Sequence, residues 1–214
     1  REQHPYVLGV TFTDPGDDTV TGWSVDWGDG SPSESLPAEA GSSEHVYTTG
    51  GVIRTITVTV TDEDGPWVAT EQVEVLGPPS LSVSGPASVD EGSPYQLTLT
   101  PPPPDITGWV IDWGDGSPVT LAPAEASQAE HVFADGPASH TIQVEGTDSY
   151  ASWPANIVAV TVNDVPPALV VTGPSSAIIS KPYVLTLGWT DPGADAISDW
   201  TIDWGDGSAL QHVA

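Results

Sequence analysis

Cysteine and methionine are both absent from this chain, and only three residues are basic: Arg1, Arg54 and Lys181. Without cysteine there is no disulfide, thiolate metal site or thiol nucleophile. Any secreted domain in it must be held together by something other than a disulfide staple. Three cations against 30 acidic residues leave a net charge of −27, which excludes the basic surface that nucleic acid requires. No stretch approaches the roughly 20 apolar residues of a membrane-spanning helix. No signal-peptide pattern is visible, and a mature or excised segment would show none. An amphipathic helix of useful length is missing as well.

What is present favours strands. Glycine and proline stand at 22 each, nine tryptophans supply much of the bulky apolar volume, and Val, Thr and Ile recur in short alternating runs. Such runs include Ile56–Val60, Gln96–Thr100, Val184–Leu187 and Val158–Val162. The 214 residues suffice for more than one hydrophobic core. The acidic excess implies self-repulsion unless cations screen or bind it. It reads as a soluble surface, a high-salt habitat, or carboxylates gathered around divalent ions.

Internal repetition organises the chain. Trp23-Ser-Val-Asp-Trp-Gly-Asp-Gly-Ser31, Trp109-Val-Ile-Asp-Trp-Gly-Asp-Gly-Ser117 and Trp200-Thr-Ile-Asp-Trp-Gly-Asp-Gly-Ser208 align directly. Their second tryptophans fall at 27, 113 and 204, spacings of 86 and 91 residues. Pro5-Tyr6, Pro94-Tyr95 and Pro182-Tyr183 keep step, as do Glu44-His45-Val46-Tyr47 and Glu130-His131-Val132-Phe133. The repeats are assigned to residues 1–77, 78–165 and 166–214, the first without its opening strand and the third with only its N-terminal part. Both ends thus read as cut through a repeat, as in a portion of a longer array. Roughly seven short strands with a central buried tryptophan predict an immunoglobulin-like β-sandwich per repeat. The boundaries at Leu76–Pro79 and Asn163–Pro167 are short and Pro-bearing, which predicts semi-rigid linkers and an extended rod.

The Asp-Trp-Gly-Asp-Gly strand, the His-Val-Tyr segment and the run Thr57-Val-Thr-Val-Thr-Asp-Glu-Asp-Gly65 together resemble the PKD (polycystic-kidney-disease-type) repeat. The resemblance covers the whole chain. It implies tandem immunoglobulin-like sandwiches of an extracellular or cell-surface protein, serving as spacer, adhesion or ligand-binding modules. Two features depart from the pattern. Val25, Ile111 and Ile202 stand where the family has an aromatic, with an extra tryptophan two residues upstream, and Thr147-Asp-Ser-Tyr150 replaces the Asp-Glu-Asp-Gly loop.

Residues that could carry chemistry recur with the repeat. Asp26/Asp29, Asp112/Asp115 and Asp203/Asp206 look like paired carboxylates, yet an active site is normally built once and a fold determinant every time. The structural motif is therefore Trp27, Asp29, Gly30 and His45, repeated as Trp113, Asp115, Gly116 and His131 and again as Trp204, Asp206 and Gly207. In it the aspartate sets the turn, the histidine hydrogen-bonds it, and the tryptophans are core. His212 follows its tryptophan too closely to be the same histidine. No catalytic residue and no organic cofactor is assigned, and the chain is not read as an enzyme. The loops bearing Asp62 and Asp64, then Asp14 and Asp17, suit calcium, which takes six to eight oxygen ligands. Asp191-Pro-Gly-Ala-Asp195 is the third-repeat counterpart of the latter loop.

The function expected is that of structural or adhesive spacer repeats, contacting neighbouring repeats or copies of themselves. The alternative is a ligand-binding array offering Trp67 and Trp153, or acidic patches, to polysaccharide or a surface protein.

Overall fold

The computed structural model describes residues 1–13, 16 and 18–214; the candidate ligands Asp14 and Asp17 lie outside the described residues. No helix occurs among the described residues, and none is therefore long and apolar enough to cross a membrane. The first repeat contributes β1 (Pro5–Gly9), β2 (Gly22–Asp26), β3 (Glu34–Pro37), β4 (Ser42–Val46), β5 (Val52–Thr61) and β6 (Pro66–Val75). The second contributes β7 (Val83–Ser84), β8 (Ser88–Asp90), β9 (Pro94–Leu99), β10 (Gly108–Asp112) and β11 (Thr120–Pro123). It continues with β12 (Gln128–Val132), β13 (Ala138–Thr147), β14 (Ser152–Pro154) and β15 (Val158–Asn163). The third holds β16 (Ala168–Thr172), β17 (Thr186–Thr190), β18 (Trp200–Ile202) and β19 (Gln211–Val213).

The chain folds into two compact units. One comprises Arg1–Ser80 with the loops Pro102–Thr107 and Thr147–Trp153; the other comprises Leu81–Pro101, Gly108–Gly146 and Pro154–Ala214.

In the first unit the sheet β3-β2-β5-β6 faces the pair β1-β4. Period-two alternation turns Trp23 and Val25 of β2 inward, where they join Ile56 and Val75 from the same sheet and Leu8 from the other. A core drawn from two sheets is a β-sandwich. In the second unit the order is β11-β10-β13-β15-β8 in one sheet and β12-β9-β7 in the other. Alternation is strict there: Tyr95, Leu97 and Leu99 of β9, Trp109 and Ile111 of β10, and Val160 and Val162 of β15 are buried. The pairing of β15 with β8 is parallel and sets Asn163 opposite Asp90. The next residue, Glu91, is completely buried.

The third repeat departs from the expected core. It supplies the hairpins β16-β17 and β18-β19, and Leu169, Val170, Val171 and Trp189 of the first hairpin are exposed. Trp204 is 39% exposed, whereas Trp27 and Trp113 are 2% and 0% exposed. The expectation that Trp204 is a core residue is corrected on that exposure.

Candidate functional site

The most conspicuous constellation is built at the end of each motif strand. Leaving β2, Asp26 accepts a hydrogen bond from the Gly28 amide at 2.9 Å, and Asp29 accepts from the Ser31 amide at 3.0 Å and its hydroxyl at 2.6 Å. The other Asp29 oxygen meets His45 Nε2 at 2.7 Å. The imidazole stacks on the Trp27 indole, centroids 4.8 Å apart and planes 10° from parallel. Residue for residue, Asp115 accepts from the Ser117 amide at 2.9 Å and hydroxyl at 2.5 Å and meets His131 Nε2 at 2.6 Å. His131 stacks on Trp113 at 4.8 Å and 11°. In the third repeat Asp206 takes the Ser208 amide at 2.9 Å, while His212 lies on β19, the counterpart of β3 and β11, and turns to Asp199 at 3.1 Å.

This clamp ties the turn after one sheet to a strand of the facing sheet, since His45 lies on β4 and His131 on β12. Its geometry does not suit nucleophilic catalysis. A serine nucleophile needs its hydroxyl on the imidazole; here the hydroxyl donates to the carboxylate.

The electrostatics give a pH dependence. Burial alone would raise the Asp115 carboxyl, but hydrogen bonds from Ser117 and His131 outweigh it and lower the carboxyl to about 2. Asp29 is lowered in the same way. A depressed carboxyl stabilises the fold above its ordinary value of 3.8, and the contribution disappears as pH falls through the folded value. Asp115→Asn is expected to cost the second unit about 1–2 kcal/mol near neutrality and progressively less as pH falls from about 4 toward 2. Urea midpoints of both proteins across this range check it; a constant gap would refute it.

A second loop motif was only half visible in the sequence. Asp62 accepts from the amides of Asp64 and Gly65, each at 2.9 Å, and from Trp67 Nε1 at 2.7 Å. Asp148 does the same for Tyr150 and Ala151, each at 2.8 Å, and for Trp153 Nε1 at 2.8 Å. The loop Thr147–Tyr150, which reads as a departure, therefore closes as its counterpart does. The shared signal is an aspartate five residues before a tryptophan. Trp67 is 61% exposed, whereas Trp153 is only 4% exposed, so Trp153 is not available as a surface aromatic. Glu63 accepts the Thr19 amide at 2.7 Å. Among the described residues, no third carboxylate or histidine closes a ligand set with Asp62 and Asp64.

Two glutamates at equivalent places complete the inventory. In the first unit, Glu2 donates its amide to the Leu76 carbonyl at 2.8 Å, and its carboxylate accepts the Gly50 amide at 2.6 Å. Arg1 beside it donates to the Gly77 carbonyl at 2.6 Å and pairs with Asp105. In the second unit, Glu91 donates its amide to the Asn163 carbonyl at 3.0 Å, and its carboxylate accepts the Gly136 amide at 2.5 Å and the Val165 amide at 3.0 Å. Glu91 is completely buried, and oxygens of Glu91, Asp191 and Asp195 lie within 4.8 Å of one another. Desolvation, then the charges of Glu91, Asp164, Asp191 and Asp135, push the Asp195 carboxyl up. The sequence marks Glu91 only as an acidic residue before a Gly-Ser turn.

Fold and site together define an all-β protein of β-sandwich units whose repeated polar constellation braces the sandwich. No family model and no curated protein matches the chain. Among solved structures it is similar to the FN1-FN3 domains of chicken CNTN1 at 11% identity and a TM-score of 0.36. The match covers 76% of this chain and 64% of that one, so this chain spans less than two thirds of it.

Proposed function

We propose that this chain is a run of non-catalytic PKD-type spacer repeats from an extracellular or cell-surface protein, holding flanking parts at a set distance. The observation that carries this reading is the Asp–Ser–His–Trp clamp, made twice with hydrogen bonds equal to within 0.1 Å. Such duplication serves a fold and gains nothing for chemistry. The short Pro-bearing boundaries support stiffness between repeats.

Small-angle scattering of the chain tests it. A single globule of this length would have a radius of gyration of about 17 Å. An elongated spacer is expected to exceed that clearly, and a value near it would overturn the reading.

One observation favours a second reading, display of a ligand-binding surface. Trp67 borders a hollow of about 320 Å³ lined also by Phe12, Val60 and Asp62, an apolar floor with a polar rim of the kind sugars stack on. Trp67→Ala is expected to abolish retardation in polysaccharide-containing gels if this surface is used. Unchanged mobility of both proteins would leave spacing as the sole role.

A further inference from the structure

We propose that Glu91, Asp191 and Asp195 form a calcium site within the second compact unit, where the β8–β9 turn meets the loop preceding β18. Three observations support it.

The first is an electrostatic deficit. Glu91 is fully buried, and its two hydrogen bonds come from neutral amides. Asp191 uses Oδ1 to accept the Gly193 amide at 2.8 Å, but its Oδ2 is sealed from solvent and has no donor. Buried carboxylate oxygens are normally satisfied by donors or by a cation. Two more acidic groups, Asp164 and Asp135, add their charge to this corner.

The second is the comparison between the two equivalent corners. Counting from Pro5 and Pro94, Glu91 takes the place of Glu2 and Asp90 that of Arg1. The amide bond and one carboxylate bond of the two glutamates match, and Glu91 accepts the Val165 amide in addition. In the first unit a guanidinium lies at this corner and answers Asp105. In the second unit the protein supplies Asp90 there instead, and the facing loop brings Asp191 and Asp195. The same architecture thus carries a built-in cation once and carboxylates alone the second time.

The third is close approach. A Cβ on Gly193 would lie 2.4 Å from Glu91 Cδ, so the loop can press onto the glutamate only with glycine at this position. Packing that forces carboxylates together is unfavourable without a counter-charge. The donor set is all oxygen, with no sulfur or imidazole, which selects a hard divalent ion. Carboxylates from two loops without octahedral constraint suit calcium better than magnesium. The site does not rest on the spacer reading, and its test reads binding where that one reads dimensions.

The experiment is calorimetric titration of the chelator-stripped 214-residue chain with CaCl₂. Saturable binding is expected with a dissociation constant no weaker than about 10⁻³ M, the weak end for extracellular modules. Asp195→Asn, a change that leaves the buried glutamate in place, is expected to weaken it roughly tenfold or more through the lost ligand charge. Asp62→Asn with Asp64→Asn is expected to leave it unchanged. Calcium should also raise the unfolding temperature of the parent chain and not that of Glu91→Gln, which reports on the buried ligand even where that variant is less stable. No saturable uptake, equal displacement by MgCl₂, or uptake that Asp195→Asn does not weaken would each overturn the site.

Discussion

Trp113→Ala is expected to cost the second unit about 3–5 kcal/mol, the range for emptying a buried aromatic site. Trp113 is fully buried, meets Tyr95 edge-on at 6.3 Å, meets Phe133 edge-on at 6.5 Å and lies flat against His131. Its Nε1 donates to the Thr120 hydroxyl at 2.8 Å. Removing it leaves a cavity that β-strands cannot collapse into and strips the clamp of its stacking surface. With domains stable by only about 5–15 kcal/mol, that loss approaches unfolding. Trp204→Ala is the internal comparison. That residue keeps the Tyr183 edge contact at 6.2 Å yet is 39% exposed, so its loss is expected to cost under about 1 kcal/mol. Urea midpoints followed by circular dichroism separate the two, and equal losses would mean that the third tryptophan is packed as the others are.

Substitution of the two motif glycines should separate just as widely, although both lie at positive φ. Gly114 has φ +76° and Gly116 φ +83°. A Cβ at Gly114 would lie 2.5 Å from the Thr141 carbonyl oxygen, which belongs to β13 and cannot swing aside as a side chain could. Nothing lies within 4 Å of a Cβ at Gly116. Gly116→Ala therefore carries only the left-handed penalty of about 1–2 kcal/mol. Gly114→Ala adds a backbone collision and is expected to cost about 3 kcal/mol or more. Comparable midpoints for the two variants would show that β13 yields and that the turn is not braced against it. The corresponding contact in the first unit, Gly28 against the Thr55 carbonyl at 2.3 Å, extends the expectation there.

These two results bear on function because they measure what the repeated motif is for. Its polar groups are spent on each other: the serine on the aspartate, the aspartate on the histidine, the histidine on the indole. A constellation so closed offers little to a substrate and much to a sandwich edge. Openness lies elsewhere, at the exposed face of Trp67 and at the buried acidic corner around Glu91.

The chain's own pattern determined the strands and the turns. Period-two alternation, a recurring Trp-Gly-Asp-Gly and histidines in step are local or repeated features, and they suffice to place Trp27, Asp29 and His45 in one motif. All-β architecture followed for the same reason, since alternation and glycine turns act over a few residues. Tertiary structure alone decided how those residues are surrounded. Trp67 and Trp153 occupy equivalent loops and hold equivalent hydrogen bonds, yet one is open and the other covered. Trp204 bears the same motif as Trp113 and differs only in what lies across from it. Glu91 and Asp191 stand 100 residues apart, and nothing in either segment announces the other. Periodicity is written within a strand, whereas burial and unbalanced charge belong to whichever distant segments the fold brings together.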